Sequence, residues 1–246
     1  MTTSWDHGHP FDVRVGELLA SQDMRGTFYV PLLYDGHDRM SCAEMRTLTR
    51  MNMEIGSQTM TYARLTEVPD HIALRELRQS KQMLEQILDR EIVSFCFPEG
   101  RSAKRFTPML RAAGYHLART TLAFHTEADF DPFAMPVTFE LWPHSRQALA
   151  RQAVRAGHLQ GLSNWASVWR GESDVLRLAE RALSHIEEFG GVLHIWGRSS
   201  EIETAGLWPL LEEVLALVSH RPGVQYLTNR DVLAGAAYER FFRATA

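Results

Sequence analysis

The fold of this chain is decided by one stretch, Glu54-Ile55-Gly56-Ser57-Gln58-Thr59-Met60-Thr61-Tyr62. Its first half continues a short apolar run, Met53–Gly56, that has the length and composition of a buried strand. Its second half becomes polar at Gln58 and Tyr62, directly after that strand. In parallel α/β sheets, ligand sites are built by residues that follow the strands. The stretch therefore indicates both an α/β fold and a site.

Strand-like runs and helix-like patterns alternate along all 246 residues. This alternation predicts parallel strands joined by right-handed helical crossovers, although it does not separate a closed barrel from an open sheet. No repeat or linker interrupts it, so we expect a single domain over residues 1–246. The predicted strands are Thr2–Trp5, Thr27–Val30, Met53–Gly56, Val93–Phe97, Tyr115–Ala118, Val137–Leu141, Val192–Trp196 and Val224–Leu227.

Helix signals fill the intervals between these runs. Ser41-Cys42-Ala43-Glu44 is a capping box, in which side chains satisfy the backbone donors of the first helical turn. The one long irregular stretch, Leu122–Pro136, is predicted to be a loop near the site and not a domain boundary. The predicted helices run from the capping box to about Arg50, onward from Pro69-Asp70, from Ser102 to Gly114, and from about Asp174 to Phe189.

The composition fits a globular protein and excludes several other classes. Hydrophobic residues make up 45% of the chain and charged residues 23%, and the net charge is −4. Because acidic and basic residues are interspersed, neither nucleic-acid binding nor membrane insertion is expected. The first residues lack a basic flank and an apolar run, and no stretch approaches the ~20 apolar residues of a membrane span, which predicts a cytoplasmic protein. Cys42 and Cys96 are expected to be reduced, buried thiols.

Residues with chemical potential follow four of the predicted strands. Asp6 and His7 follow the first, Gln58–Tyr62 the third, Pro98–Arg101 the fourth and Trp196–Arg198 the seventh. In a parallel sheet these strand ends lie at one edge, where the loops converge on a crevice. The sequence therefore predicts one site that is built from four separate segments.

Five motifs stand in a fixed order along the chain. They are Ser4-Trp5-Asp6-His7-Gly8-His9-Pro10, Gly26-Thr27-Phe28-Tyr29-Val30, Glu54-Ile55-Gly56-Ser57, Phe95-Cys96-Phe97-Pro98-Glu99-Gly100-Arg101 and Val192–Ile202. In this order they resemble the polysaccharide deacetylases, the carbohydrate esterase family with the NodB-like domain. The resemblance implies a distorted (β/α) barrel of about seven parallel strands. It also implies a hydrolase acting on carbon–nitrogen (non-peptide) bonds.

The resemblance assigns a role to five positions. Asp6 stands where the family carries the general base that activates water, and His194 where it carries the general acid for the leaving amine. His7, Gln58 and Tyr62 stand at the three metal-ligand positions, at which the family carries Asp, His and His. All three ligand positions have therefore changed, while the acid and base positions have not.

The three substituted side chains are poor ligands for a metal. Zinc prefers imidazole, carboxylate or thiolate. The amide of Gln58 is neutral, and a phenol such as that of Tyr62, with an ordinary pKa of about 10, stays protonated at neutral pH. His9 could add a second imidazole to His7 for an adventitious ion. No zinc-type divalent metal is therefore expected as a cofactor.

A further set of residues is expected to contact a substrate: Pro98, Glu99, Gly100, Arg101, Trp142, Trp196 and Arg198. Arg198 stands where the related subgroup carries His. It either neutralises Asp6 or replaces the metal by stabilising an oxyanion, or else it forms a salt bridge with Glu201 or is a solvated loop residue. Trp142 and Trp196 are either core residues or platforms for sugar stacking. His144 either lines the pocket or has a structural role. His37, His71, His185 and His220 are expected at the surface.

The sequence leaves two functions open. In the first, a non-catalytic barrel binds a sugar or a partner, with weak altered activity at most. In the second, a metal-independent hydrolase cleaves a C–N (amide) or ester bond of a sugar-like substrate, with Asp6 as the base and His194 as the acid. The resemblance implies a place in carbohydrate or surface-polysaccharide metabolism, with a sugar-like small molecule, nucleotide- or lipid-linked, as the ligand.

Overall fold

The computed structural model describes residues 1–36, 38–154 and 159–235. Within these residues the fold is built on seven strands in the order β5-β4-β3-β2-β1-β7-β6. Every neighbouring pair is parallel. Seven of the predicted strands are confirmed, with ends that differ by one or two residues. The strands are β1 (Thr2–Asp6), β2 (Thr27–Val30), β3 (Glu54–Ser57), β4 (Ser94–Cys96), β5 (Leu117–Arg119), β6 (Phe139–Glu140) and β7 (His194–Gly197).

Helices connect the strands and begin where the sequence provides caps. The capping box of the second helix is complete, since Ser41 Oγ accepts from the Glu44 N–H at 3.3 Å and Glu44 Oε2 accepts from the Ser41 N–H at 2.7 Å. In the part of the chain that is described, no helix is long and apolar enough to cross a bilayer. The helices are α1 (Asp12–Ser21), α2 (Cys42–Arg50), α3 (Asp70–Leu88), α4 (Phe106–Ala112), α5 (Arg146–Ala153), α6 (Leu159–Ser167), α7 (Val175–Phe189), α8 (Ser199–Thr204) and α9 (Trp208–Val218).

The longest helix, α3, packs one apolar face into the core. Leu77, Leu84 and Leu88 are buried on it, at the spacing that places side chains on one side of a helix. Burial of a leucine side chain contributes about 1.5–3 kcal/mol relative to exposure. This packing holds α3 beside the strands and fixes the start of the loop that precedes it.

The sheet curls towards closure between its two edge strands. Met135 forms a parallel bridge with Arg119 at the end of β5. The Thr138 N–H, a few residues later, donates to the His194 carbonyl of β7 at 2.8 Å. The segment before β6 therefore spans the gap between the two edges, and the predicted distorted (β/α) barrel of seven parallel strands is confirmed.

Two expectations from the sequence are wrong. Val224–Leu227 is not a strand; the Leu227 N–H bonds to the Met1 carbonyl at 2.9 Å, but the apolar run packs at the foot of the sheet without forming a ladder. Cys42 is exposed, whereas Cys96 is buried as expected. Cys42 is the first residue of α2, and the helix buries Met45 further along instead.

The inner face of the sheet carries several buried polar side chains. Residues alternate between the two faces of a strand, so Ser4 and Asp6 of β1 share one face. Both are buried, as are Arg119 of β5 and His194 of β7. Because buried polar and charged groups need partners, these residues must satisfy one another inside the barrel.

Candidate functional site at the mouth of the barrel

The loops after β1, β3 and β4 are joined by direct hydrogen bonds at the carboxyl edge of the sheet. Gln58 Oε1 accepts from the His7 N–H at 3.0 Å, which joins the first loop to the second. The Tyr62 hydroxyl accepts from the Glu99 N–H at 3.3 Å, which joins the second loop to the third. Because parallel strands end at a common edge, residues far apart in sequence form one surface here.

Asp6 forms a buried ion pair with Arg119. The Arg119 Nη2 contacts Asp6 Oδ1, and the two side chains are 0% and 6% exposed, respectively. Burial raises the pKa of Asp6, and the Arg119 guanidinium opposes that effect. The position of the family's general base is therefore occupied by a carboxyl group that already has a cationic partner.

His194 is enclosed by the protein on both sides of its ring. Nδ1 lies 3.0 Å from the Pro136 carbonyl oxygen, to which it must donate, and Nε2 lies 2.8 Å from Ser4 Oγ, from which it accepts. Burial, with a smaller contribution from the nearby Arg119 guanidinium, lowers the pKa of His194 to about 3. Since Ser4 lies two residues before Asp6 on the same face of β1, His194 lies one layer below the mouth. At neutral pH this imidazole is neutral and has no free proton to donate.

The three residues at the family's metal-ligand positions are connected by hydrogen bonds through His7. His7 Nε2 lies 2.9 Å from the Tyr62 hydroxyl, and Gln58 Oε1 accepts from the His7 N–H. The amide nitrogen of Gln58 lies 3.3 Å from Cys96 Sγ. Burial raises the pKa of Tyr62, so its hydroxyl keeps its proton beside His7 Nε2.

These residues do not fit a divalent metal ion. One of them is a neutral amide, another is a protonated phenol, and the imidazole Nε2 of His7 is turned towards that phenol. The nearest carboxylate, Asp6, is paired with Arg119. Among the residues that the structure describes, no group of three or more His, Cys, Asp or Glu side chains could hold a metal. Of the ligand types that zinc prefers, the mouth offers the His7 imidazole and the Asp6 carboxylate, and both are already bonded within the protein.

A cavity of about 470 Å³ opens beside the loops after β6 and β7. Glu140, which ends β6, lines this cavity, and one of its carboxylate oxygens lies 2.7 Å from His144 Nε2. Its other oxygen lies 3.3 Å from Arg198 Nη1. The lining of this cavity includes Glu140, Trp142, His144, Gln152, Trp196 and Arg198. This cavity combines a part-exposed indole with several hydrogen-bonding groups.

Arg198 lies in this cavity but is paired with acids. Its Nη1 lies 2.7 and 2.8 Å from the two carboxylate oxygens of Glu201, as well as near Glu140. The guanidinium also lies 4.9 Å from the centre of the Trp196 ring, and that of Arg119 lies 5.0 Å from the same ring. The salt bridge with Glu201 is thus present, and Arg119 is the cation that contacts Asp6.

The predicted segment Pro98–Arg101 forms the rim of the mouth. Glu99 receives Arg64 Nε at 2.7 Å and Arg101 Nε at 3.0 Å. Arg101 also bonds Glu67 Oε1 at 2.5 Å. Such exposed ion pairs contribute little stability. Within the described chain the rim residues lie outside the 470 Å³ cavity, in which Trp142, Trp196 and Arg198 are found.

Two charged residues at the site, Arg119 and Glu140, were not predicted from the sequence. Both end a strand, β5 and β6 respectively. A charged residue at the carboxyl end of an apolar strand was the available signal. Of the other histidines, His71 and His220 are exposed, whereas His185 is partly buried and His37 lies outside the described residues.

Residues 2–118 match the model of the polysaccharide deacetylase family. This match covers the segments with Asp6, His7, Gln58 and Tyr62, and it confirms the resemblance inferred from the motifs. No curated protein sequence is significantly similar to the chain.

Solved structures of deacetylases share the fold at low sequence identity. A putative polysaccharide deacetylase from Mycobacterium smegmatis is 14% identical, with a TM-score of 0.67 over 97% of this chain and 91% of that one. The chitin deacetylase of the fungal pathogen Colletotrichum lindemuthianum is 14% identical, with a TM-score of 0.58 over 94% and 85%. The Streptococcus pyogenes deacetylase PplD, in complex with acetate, is 16% identical, with a TM-score of 0.52 over 55% and 62%. The chain thus spans less than two thirds of the length of PplD.

Proposed function

We propose that the protein is a polysaccharide deacetylase-like barrel that binds a carbohydrate at its mouth without using the family's metal. The observation that carries this proposal is the state of His194, whose two ring nitrogens are both bonded inside the protein. With a pKa of about 3, it supplies no proton to a leaving group at neutral pH. A cavity of about 470 Å³ lies nearby, beside the loops after β6 and β7.

The 470 Å³ cavity has the size of a small-molecule site. Trp142 supplies an indole surface for the apolar face of a sugar ring. Glu140, His144 and Gln152 supply acceptors and donors for hydroxyl groups. Both Arg198 and Arg119 lie against Trp196, so stacking on the ligand is assigned to Trp142. A sugar-like molecule, nucleotide- or lipid-linked, is the proposed ligand.

The alternative function, metal-independent hydrolysis of an amide or ester bond with Asp6 as base and His194 as acid, has weaker support. Asp6 is paired with Arg119 and His194 is neutral and enclosed. A Lewis acid contributes several kcal/mol of transition-state stabilisation to such a reaction. Arg198, which would have to replace it, is already paired with the carboxylates of Glu140 and Glu201. Binding without turnover therefore fits the geometry better.

The test is a calorimetric titration of N-acetylglucosamine oligosaccharides and of glucosamine oligosaccharides into EDTA-treated protein. We expect saturable binding that Trp142→Ala weakens by about tenfold, the equivalent of ~1.4 kcal/mol. Phe189→Ala is the matched control, because Phe189 is 68% exposed at the end of α7. Acetate release that Asp6→Asn abolishes would contradict the proposal and restore the hydrolase.

A further inference from the structure

The hydrogen bonds among the former ligand positions join three separate loops. His7 belongs to the loop after β1, Gln58 and Tyr62 to the loop after β3, and Glu99 to the loop after β4. We infer that His7, Gln58 and Tyr62 form a hydrogen-bonded staple that holds these loops where a metal ion would otherwise hold them. This inference concerns the construction of the mouth and does not depend on which ligand binds.

Tyr62 is the central member of the staple. Its hydroxyl forms a hydrogen bond with His7 Nε2 over 2.9 Å and accepts one from the Glu99 N–H over 3.3 Å. The ring also packs edge-on against His7, with 4.9 Å between ring centres, and at 4.7 Å from Tyr34. One phenol therefore contacts both neighbouring loops, as one ion with ligands from several loops does.

Gln58 supplies the second connection. Its Oε1 accepts from the backbone N–H of His7 at 3.0 Å, and its Nε2 lies 3.3 Å from Cys96 Sγ at the end of β4. Gln58 is fully buried, so an unpaired amide there would be costly. The side chain thus satisfies both of its ends by bridging β1 and β4.

The backbone at these positions is held in a conformation that needs such support. His7, Thr59, Tyr62 and Glu99 have φ values of 81°, 66°, 60° and 55°, in the left-handed region that residues other than glycine seldom adopt. Strained residues persist where the surroundings over-determine them. The hydrogen bonds of the staple provide that determination.

The first test is hydrogen exchange of Tyr62→Phe. We expect the backbone amides of 58–62 and 99–101 to exchange roughly fivefold faster, the size of one net hydrogen bond. Tyr226→Phe is the matched control, because the Tyr226 hydroxyl also bonds backbone groups, Arg221 N–H and Val218 O. Its effect should be confined to 218–226. Adding His7→Ala to Tyr62→Phe should have less effect than the sum of the two single changes, because both remove the same hydrogen bond.

The second test restores the ligands of the family in the preserved frame. The triple variant His7→Asp, Gln58→His, Tyr62→His should bind zinc stoichiometrically by elemental analysis, and zinc should slow exchange in 58–62 again. Unchanged exchange in Tyr62→Phe would overturn the staple, as would a folded triple variant that binds no zinc. If the triple variant does not fold, the exchange of Tyr62→Phe decides the inference alone.

Discussion

Arg119 donates through Nη2 to Asp6 Oδ1 inside the barrel, across 113 residues of sequence. The guanidinium also lies near the rings of Tyr29 and Trp196, 5.4 and 5.0 Å from their centres. A buried carboxylate at the base position is thereby neutralised by the chain itself. This pairing links the end of β1 to the end of β5 and supports the mouth from below.

Arg119→Met should destabilise the protein strongly. Removal of one partner from a buried ion pair leaves the other charge unpaired, which costs about 3–5 kcal/mol. Adding Asp6→Asn should recover part of that loss. The measurement is the free energy of unfolding in urea, with Arg101→Met as control, because Arg101 belongs to an exposed ion pair of a kind that contributes only about 0–1 kcal/mol. Equal losses for the two single variants would contradict the account.

His194 should make the protein less stable as the pH falls. Its pKa is lowered from 6.5 to about 3 by burial, so the unfolded chain binds a proton more readily between those values. Stability is then fully present above pH 6.5 and is lost towards about pH 3. NMR of the imidazole nitrogens should show neutral His194 with a proton on Nδ1 at pH 5. A charged ring at that pH would refute the enclosed arrangement.

Asp12 should make the protein less stable as the pH rises. Burial raises its pKa from 3.8 to about 8, with the Ser199 hydroxyl bond opposing. The folded state therefore holds the proton more tightly, and the stability present below pH 3.8 is lost as the pH rises to about 8. Asp12→Asn should remove that slope, as measured by urea unfolding at pH 5 and pH 8.5. An unchanged slope would show that Asp12 is not the group responsible.

The fold could be predicted because local sequence patterns specify its strands and helices. Apolar runs of strand length and capping signals such as Ser41–Glu44 placed seven strands and several helices close to their observed bounds. The prediction of a strand at Val224–Leu227 was wrong. The segment has the alternation of a strand, but no neighbouring strand forms a ladder with it. A strand is defined by its neighbour as well as by its own residues.

The contacts of the site could be predicted only in part. The positions of the predicted strand ends indicated that the loops carrying His7, Gln58 and Tyr62 share one edge of the sheet. In the structure these loops are in contact. The pairing of Asp6 with Arg119 depends on which strand closes the barrel, which no local pattern contains. The two bonds that enclose His194 likewise come from distant segments.

The central claim is that the mouth is built without a metal ion, and metal analysis tests it most directly. The protein would be produced with zinc, cobalt and nickel in the medium, purified, and measured by elemental analysis and thermal unfolding before and after EDTA. Because His7, Gln58 and Tyr62 bond one another, we predict sub-stoichiometric metal and an unchanged Tm. A stoichiometric metal whose removal by EDTA lowers the Tm would contradict the account.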